Sequence, residues 1–179
     1  MKILVITGSP RKNGNSFAMT DAFINAAESL GHTVQRFDAA FMNIGGCRAC
    51  MTCYKTGKAC SFDDDFNIIA PHILDADAVV YTAPVYWYSI PSQIKGVIDR
   101  VFSLVVGGKD IAGKKCGIIT CCEEHDPTVM DGVTMPLKRA FELLKWNLVG
   151  EVCIPGVLNE GDINNTDGCA QAAALASKF

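Results

Sequence analysis

Four cysteines lie close together in this sequence, and thiols at such spacing can bind metal ions or carry electrons. They follow the pattern C-x2-C-x2-C-x6-C within fourteen residues: Cys47, Cys50, Cys53 and Cys60. The first three have the spacing that lets thiolates bind one iron–sulfur cubane, with a fourth sulfur from farther along the chain. Bacterial ferredoxins continue with x3-Cys-Pro, whereas six residues intervene here and Ser61 follows the last cysteine. The spacing therefore favours an iron–sulfur site of a different arrangement.

Three alternative roles for these four cysteines stay open. Zinc binds four thiolates, but usually from two separate C-x2-C pairs. Redox-active thiols would need only two cysteines. A cysteine-bearing loop without a cofactor is the third alternative. The remaining cysteines lie in or beside apolar runs, where we expect most of them to be small core residues: Cys116, Cys121, Cys122, Cys153 and Cys169.

A second segment, from Gly8 to Ser16, has the composition of a phosphate-binding loop: Gly-Ser-Pro-Arg-Lys-Asn-Gly-Asn-Ser. It follows an apolar run and precedes a helical pattern, where backbone N–H groups and the helix dipole attract an anion. An ATP-type loop has four residues between its glycines and then a lysine, whereas this loop has five and then Asn15; the dinucleotide pattern G-x-G-x-x-G is absent. A single phosphate monoester is therefore predicted. The alternative is a turn that only caps the helix, for which one Ser or Asn would be enough.

Aromatic residues mark a third candidate segment, from Ala83 to Pro91, which contains Tyr86, Trp87 and Tyr88. A flat ring could lie against this segment, and its backbone N–H groups could bond the ring edge. Tyr and Trp are also frequent in protein interfaces. The two interpretations are compatible, so we expect a ring site close to the seam of a homodimer or a dimer of dimers.

The elements that must position these segments alternate along the chain. Continuous apolar runs, typical of a parallel sheet buried on both faces, predict five strands: Lys2–Thr7, Thr33–Asp38, Ala78–Thr82, Cys116–Cys121 and Leu148–Ile154. Helical patterns predict five helices: Ser16–Leu30, Asp65–Leu74, Pro91–Val101, Thr134–Lys145 and Gly168–Lys178. Gly31 is expected to end the first helix, and the acidic residues from Asp63 to Asp65 to begin the second. This order predicts an α/β fold with a doubly wound parallel sheet, as one domain over residues 1–179. Only Ala39–Phe62, the cysteine-rich loop, lacks a helix or strand pattern, which suggests a functional loop.

Composition excludes several classes of protein. The net charge is −3, from 16 basic and 19 acidic residues without a basic stripe, so nucleic acid is not an expected partner. No apolar run approaches the ~18 residues that a membrane-spanning helix needs. The apolar run after Met1 and Lys2 is too short for a signal peptide, so a cytoplasmic location is predicted. There the nine cysteines are not expected to form disulfides.

Two of these segments resemble the NADPH-dependent FMN reductase family, a group with the flavodoxin fold. Gly-Ser-Pro-Arg followed by Gly-Asn-Ser resembles its phosphate loop, and the stretch from Pro84 to Lys95 resembles its Pro-x-Tyr-x4-Pro-x3-Lys segment; the resemblance spans residues 1–150. It implies FMN and a five-stranded sheet of order 2-1-3-4-5. In that family the residues that match Ser9, Arg11, Asn15 and Ser16 line the FMN phosphate site. The full set of predicted cofactor-binding residues is Ser9, Arg11, Asn13, Gly14, Asn15, Ser16, Pro84, Val85, Tyr86, Trp87, Thr120, Cys121 and Cys122. The segment from Thr120 to His125 departs from the small or glycine-rich loop that the family often has there. His125 could donate a proton to a reduced substrate, although a lone histidine after a strand is more often a surface residue.

The cysteine pattern is similar to that of the iron–sulfur flavoprotein branch of the same family. This resemblance implies FMN and one [4Fe–4S] cluster, with Cys47, Cys50, Cys53 and Cys60 as its ligands. The expected function is that of a flavin-dependent oxidoreductase. It would receive electrons from ferredoxin through the cluster, or as hydride from NAD(P)H, and pass them to a small-molecule acceptor. Two alternatives stay open: an NAD(P)H-dependent FMN or quinone reductase without a cluster, and a non-catalytic flavin or metal redox sensor.

Overall fold

The computed structural model describes residues 1–179 as an α/β sandwich of three layers. The elements are β1 (Lys2–Thr7), α1 (Asn15–Ser29), β2 (Thr33–Asp38), α2 (Phe66–Asp75), β3 (Ala78–Pro84), α3 (Ser92–Arg100), α4 (Phe102–Val106), β4 (Lys115–Cys121), α5 (Asp131–Leu144), β5 (Asn147–Ile154) and α6 (Gly168–Leu175). Short 3-10 turns lie at Ala39–Phe41, Pro127–Met130, Asp162–Asn165 and Ala176–Lys178. No helix has the length and apolar character needed to cross a membrane.

The five strands form one parallel sheet of order β2-β1-β3-β4-β5. This confirms the predicted fold class and the predicted strand order. The central strands β1, β3 and β4 are almost wholly buried, as their continuous apolar runs indicated. The edge strands β2 and β5 are only partly buried. Because the strand order reverses between β1 and β3, the connections at their carboxyl ends diverge and leave a crevice for a ligand.

Two apolar cores hold the layers together, one on each face of the sheet. One core packs α2, α3 and α5 against residues such as Leu4, Ile6 and Ile118, and the other packs α1 and α6 against Ile3, Val5 and Ile119. Successive side chains of a strand point to opposite faces, which is why neighbours in β1 and β4 belong to different cores.

Several predicted helix boundaries were wrong. The helix α5 begins at Asp131 rather than Thr134, and the last predicted helix is divided into α6 and a final 3-10 turn. The helix α4 was not predicted at all; it follows α3 after Val101 and ends before Gly107, and such a short segment has too few residues for a periodic signal. The end of α1 was predicted correctly: Gly31 adopts a positive φ of 84° and its N–H donates to Glu28 O at 2.9 Å.

Candidate functional site

The loop between β1 and α1 forms one wall of a pocket of about 310 Å³ at the carboxyl ends of the strands. Gly8 N–H donates to Thr82 O of β3 at 2.8 Å, and a Cβ on Gly8 would lie 2.8 Å from Ile94 Cγ2, so only glycine fits there. Gly14 caps α1 without a side-chain hydrogen bond, so the first-turn N–H groups of α1 stay open to a ligand. Ser9 and Ser16 are buried beside them, and Arg11 is exposed at the rim.

The side chain of Asn15 bonds the protein. Its Nδ2 donates to Asn159 O at 2.9 Å, and its Oδ1 accepts a hydrogen bond from Ile163 N–H at 3.2 Å. These bonds join the phosphate loop to the segment that follows β5. Asn15 also lines the pocket, while its amide group positions a loop.

A second wall of the pocket is the ring loop, which we define as residues 84–91. Val85 N–H donates to Cys121 O at 2.9 Å, and Tyr86 and Ser89 exchange two backbone hydrogen bonds of 3.0 Å around a two-residue turn. The turn residues Trp87 and Tyr88 have positive φ angles of 47° and 61°, a conformation usually given to Asn or Gly in such turns. Strain of about 1–3 kcal/mol per residue is typical of functional sites. The N–H groups of Val85 and Tyr86 are used within the chain, whereas that of Trp87 makes no bond within it.

The third wall consists of Cys121, Cys122 and Glu123 after β4. Burial raises the pKa of the Cys121 thiol to about 12, with a smaller contribution from Cys122. Burial also raises the pKa of Cys122, whose Sγ donates to Glu124 O at 3.3 Å. Both thiols are therefore neutral at pH 7, and they present an uncharged surface to a ligand.

Two predicted cofactor residues do not line the pocket. Asn13 is exposed outside it, and Thr120 is fully buried in β4, where its Oγ1 has no hydrogen-bond partner. His125 also lies outside the pocket. A Cβ on Gly156 would be 2.7 Å from His125 Nδ1, so the imidazole packs on the chain after β5.

Sequence reasoning missed Val157, Leu158 and Glu160, which close the pocket from the segment after β5. Their place directly after the last strand could have indicated them, since the carboxyl ends of all parallel strands meet at one edge of the sheet. The acidic residues Glu123 and Glu160 lie at the pocket wall, while the basic Arg11 and the start of α1 lie at the phosphate loop. An anionic group is therefore accommodated at the phosphate loop.

The four predicted cluster ligands line one separate, small cavity of about 20 Å³. Cys47 and Cys50 are exposed, Cys53 is half-buried and Cys60 is buried. Ser61 Oγ donates to Thr52 O at 2.6 Å, which links the neighbours of Cys60 and Cys53. No three His, Cys, Asp or Glu side chains of the structure are arranged so that they could hold a metal ion. The thiols therefore share a cavity but do not converge on one point.

The backbone around the cysteines contains left-handed residues, a conformation that occurs in anion-binding nests. Ala49, Met51 and Tyr54 have positive φ angles of 52°, 53° and 61°. None of the N–H groups of residues 46–53 donates a hydrogen bond within the chain. Turns with left-handed residues direct successive N–H groups into a concavity, a geometry found at phosphate and iron–sulfur sites. The four thiols and this set of unused donors are the groups that a negatively charged, thiolate-ligated centre needs, and the thiols would have to turn towards one point to bind it.

Three charged residues line this cavity, Arg48, Asp99 and Arg100, and only Arg100 is buried. Arg100, at the end of α3, is 3% exposed, and its Nη1 donates to Asp64 Oδ2 at 2.5 Å and to Gly45 O at 3.2 Å. Burial opposes the charge of Arg100, but contacts with Asp64 and Cys60 raise its pKa overall. Its guanidinium also lies over the Phe66 ring, 4.5 Å from the centroid.

Helix α3 connects the two candidate sites. It begins directly after Pro91 of the ring loop and ends at Arg100 beside the cysteine cavity. Its nine residues correspond to roughly 13 Å of helix. A Cβ on Gly96 would lie 3.2 Å from Gly45 O, so the cysteine-rich loop packs closely on the middle of α3. The pocket and the cysteine cavity are thus held at the two ends of one rigid element.

Comparisons with known proteins agree with this geometry. The family model Flavodoxin_2, described as a flavodoxin-like fold, matches residues 1–178. An iron–sulfur flavoprotein of Archaeoglobus fulgidus is 30% identical over 184 residues, covering 100% of this chain and 82% of that protein. An iron–sulfur flavoprotein of Methanosarcina thermophila is 32% identical over 114 residues, covering 64% of this chain and 58% of its own length.

A solved structure shows the same fold at low sequence identity. The FMN-dependent NADH-azoreductase of Bacillus anthracis, solved in complex with FMN, superposes with a TM-score of 0.74 at 15% identity, covering 99% of this chain and 98% of that one. These matches confirm the resemblance inferred from the phosphate-loop and cysteine motifs. The chain therefore belongs to the flavodoxin-like fold family Flavodoxin_2, and within that family it groups with the iron–sulfur flavoproteins.

Proposed function

We propose that this protein is a flavin-dependent oxidoreductase whose flavin is non-covalent FMN, held in the pocket between the phosphate loop and the ring loop. The observation that carries the proposal is the open N-terminus of α1, with its uncapped N–H groups, at the crevice where the strand order reverses. Only one phosphate-binding loop is present in the pocket, which supports a mononucleotide. The family and the named functions of its relatives support the same activity.

The residues of the pocket have separate roles in this proposal. Arg11, Ser9 and Ser16 bind the phosphate with the first-turn N–H groups of α1. The Trp87 N–H is one donor left available to a ring edge, and the neutral Cys121 and Cys122 provide an uncharged wall. Bound FMN supplies the redox chemistry, while these side chains orient it and exclude water. Asn13 and Thr120 stay predicted contacts that lie outside the pocket wall.

We also propose that Cys47, Cys50, Cys53 and Cys60 ligate one [4Fe–4S] cluster. The shared cavity, the unused N–H groups of residues 46–53 and the names of the aligned relatives support this assignment. Electrons reach the protein from a reduced ferredoxin or from NAD(P)H, and they leave to a small-molecule acceptor. The separation of the two sites by helix α3 suits a division between electron entry and substrate reduction.

Assembly and location are further parts of the proposal. A homodimer or a dimer of dimers would cover Trp87 and Tyr88, whose exposed fractions are 94% and 57%. Large aromatics of this kind are enriched in interfaces. We also propose a cytoplasmic location, where thiols are kept reduced. We retain the interpretation of residues 1–179 as one flavodoxin-like domain.

A cluster-free reductase is the second candidate function, because no three of the cysteine side chains converge as metal ligands. Purification without oxygen distinguishes the candidates. Iron and acid-labile sulfide together with FMN support the iron–sulfur flavoprotein. FMN with NAD(P)H turnover and no iron, even after reconstitution under argon, supports the NAD(P)H-dependent FMN or quinone reductase. Flavin without turnover with either donor supports a redox sensor. Released FAD in place of FMN would overturn the assignment of the pocket.

A further inference from the structure

The buried guanidinium of Arg100 has an edge that bonds nothing. Its Nη1 donates hydrogen bonds to Asp64 and Gly45. Nε and Nη2 are both buried, and neither has a hydrogen-bond partner. Nε and Nη2 form the edge of the fork that normally binds two acceptors side by side. Buried donors are paired in more than about 90% of cases, so this edge indicates an acceptor that belongs beside it.

A second orphaned donor lies one helical turn further along. Ser103 in α4 is 3% exposed, and its Oγ is buried without a partner. Arg100 and Ser103 line the same small cavity, together with the four clustered cysteines. Two independent buried donors and four thiols therefore surround one space, and sulfur is the acceptor that the cysteines bring to it.

We propose that Arg100 and Ser103 are positioning residues of the cysteine site: Nε–H, Nη2–H and Oγ–H donate hydrogen bonds to the sulfur atoms of a [4Fe–4S] cluster held by the four cysteines. The inference rests on the cluster that is part of the proposed function. Reduction adds negative charge to the sulfurs, so N–H and O–H donors stabilise the reduced state and raise the reduction potential. Asp64 neutralises the guanidinium and fixes its orientation. The reduction potential is therefore raised by the hydrogen bonds rather than by net charge.

The geometry of Arg100 is one that a lysine would not reproduce. Arg presents parallel N–H groups in a planar fork, whereas the lysine ammonium is a single point charge on a flexible stem. An Arg100→Lys variant keeps the charge and can still pair with Asp64, but it loses the free edge. A Ser103→Ala variant removes one hydroxyl and changes little else. Arg139→Lys is the matched control, because Arg139 is exposed and pairs only with Glu142 on the surface of α5.

Potentiometric titration of the reconstituted protein, followed by electron paramagnetic resonance, tests the proposal. At the wild-type midpoint potential, we expect the ratio of reduced to oxidised cluster to be about tenfold lower in Arg100→Lys. For a one-electron couple this corresponds to a midpoint potential lower by about 59 mV. A smaller, about threefold fall is expected in Ser103→Ala. The flavin midpoint in the same samples should stay unchanged, as should both midpoints in Arg139→Lys. Exchange into D₂O should shift the Fe–S stretching bands more in the wild type than in either variant.

The outcomes separate this inference from the proposed function. If the wild type takes up no iron and sulfide under argon, the cluster assignment and this inference both fail. If a cluster assembles and its midpoint is the same in the wild type, Arg100→Lys and Ser103→Ala, only this inference is overturned. Should Arg100→Lys fail to fold or to assemble a cluster, the Ser103→Ala variant tests the inference, because that change deletes a single hydroxyl. A lower cluster midpoint in Ser103→Ala supports the inference, and an unchanged midpoint overturns it.

Discussion

Gly132 and Tyr88 lie so close together that no side chain fits between them: a Cβ on Gly132 would be 1.7 Å from the Tyr88 carbonyl oxygen. Gly132 is in the first turn of α5, and Tyr88 is one of the two left-handed residues of the ring loop. Backbone contact with α5 therefore holds the ring loop in its strained turn. The proposed flavin site depends on a glycine that is distant from it in sequence.

Gly132→Ala is expected to displace the ring loop and to weaken FMN binding by about tenfold or more, a loss of about 1.4 kcal/mol. The added methyl cannot coexist with the Tyr88 carbonyl, so either the loop or α5 must move. Fluorescence titration of apoprotein with FMN measures the effect. Gly46→Ala is the matched control, because a Cβ there meets nothing within 4 Å. Equal FMN affinity in both variants would contradict this role of the ring loop.

Arg11→Gln should weaken FMN binding by about tenfold, since a hydrogen bond to a charged group contributes about 1.5–3 kcal/mol. Arg11 is exposed at the pocket rim, so its loss should leave the fold intact. Riboflavin lacks the phosphate, and its affinity should be the same in wild type and variant. A matching loss of riboflavin affinity would place the effect at the ring rather than at the phosphate loop.

Cys50→Ala should abolish iron binding and leave FMN bound. Wild-type protein purified without oxygen should contain about four irons per FMN. Cys50 lines the cysteine cavity and not the flavin pocket, so the two cofactors should be lost independently. Cys169→Ala, at a half-buried position in α6, is the control and should keep both. Iron that persists in Cys50→Ala would argue against the proposed ligand set.

Asp64 should make the stability of the protein sensitive to acid. Burial alone would raise its pKa, but hydrogen bonds from Arg100 and from the Gly45 and Phe66 N–H groups outweigh burial and lower the pKa below 3.8. A lowered carboxyl pKa contributes stability that is present above the unfolded-state pKa of about 4 and is lost as the pH falls through the folded-state value.

Urea unfolding of wild type and Asp64→Asn at pH 3 and pH 7 measures this contribution. At pH 7 the variant should be less stable by about 1.5–3 kcal/mol, and the difference should shrink at pH 3. Asp63→Asn is the control, because the Asp63 side chain is 90% exposed. A difference that stays constant with pH would show that the Asp64 charge is not responsible.

Light scattering should give about twice the chain mass of 19.2 kDa, or about four times that mass for a dimer of dimers. Trp87→Ser should shift the equilibrium towards monomer, because it removes the most exposed aromatic of the ring loop. Leu143→Ser, at a 78% exposed position on α5, is the control for a general loss of surface apolar area. A wild-type monomer with bound FMN would contradict the proposed assembly.

The fold could be predicted from the sequence because its signals are local and strong. The runs in β1, β3 and β4 are continuous and apolar, and the strand order followed once the motifs had indicated the flavodoxin family. Helix boundaries were harder to predict, as α5 shows: Asp131 and Gly132 begin the helix although neither fits the apolar period. The short helix α4 has no signal of its own, because it continues α3 after a single residue.

The sequence by itself determined the two chemical groups of residues: the phosphate loop from Gly8 to Ser16 and the four cysteines from Cys47 to Cys60. Both are contiguous, so residue types and spacing were enough to mark them as candidate sites. The tertiary structure alone decided what completes each group. Glu160 closes the flavin pocket, and Arg100 and Ser103 reach the cysteine cavity. These contacts join residues far apart in the chain, and only the packing of helices on the sheet brings such residues together.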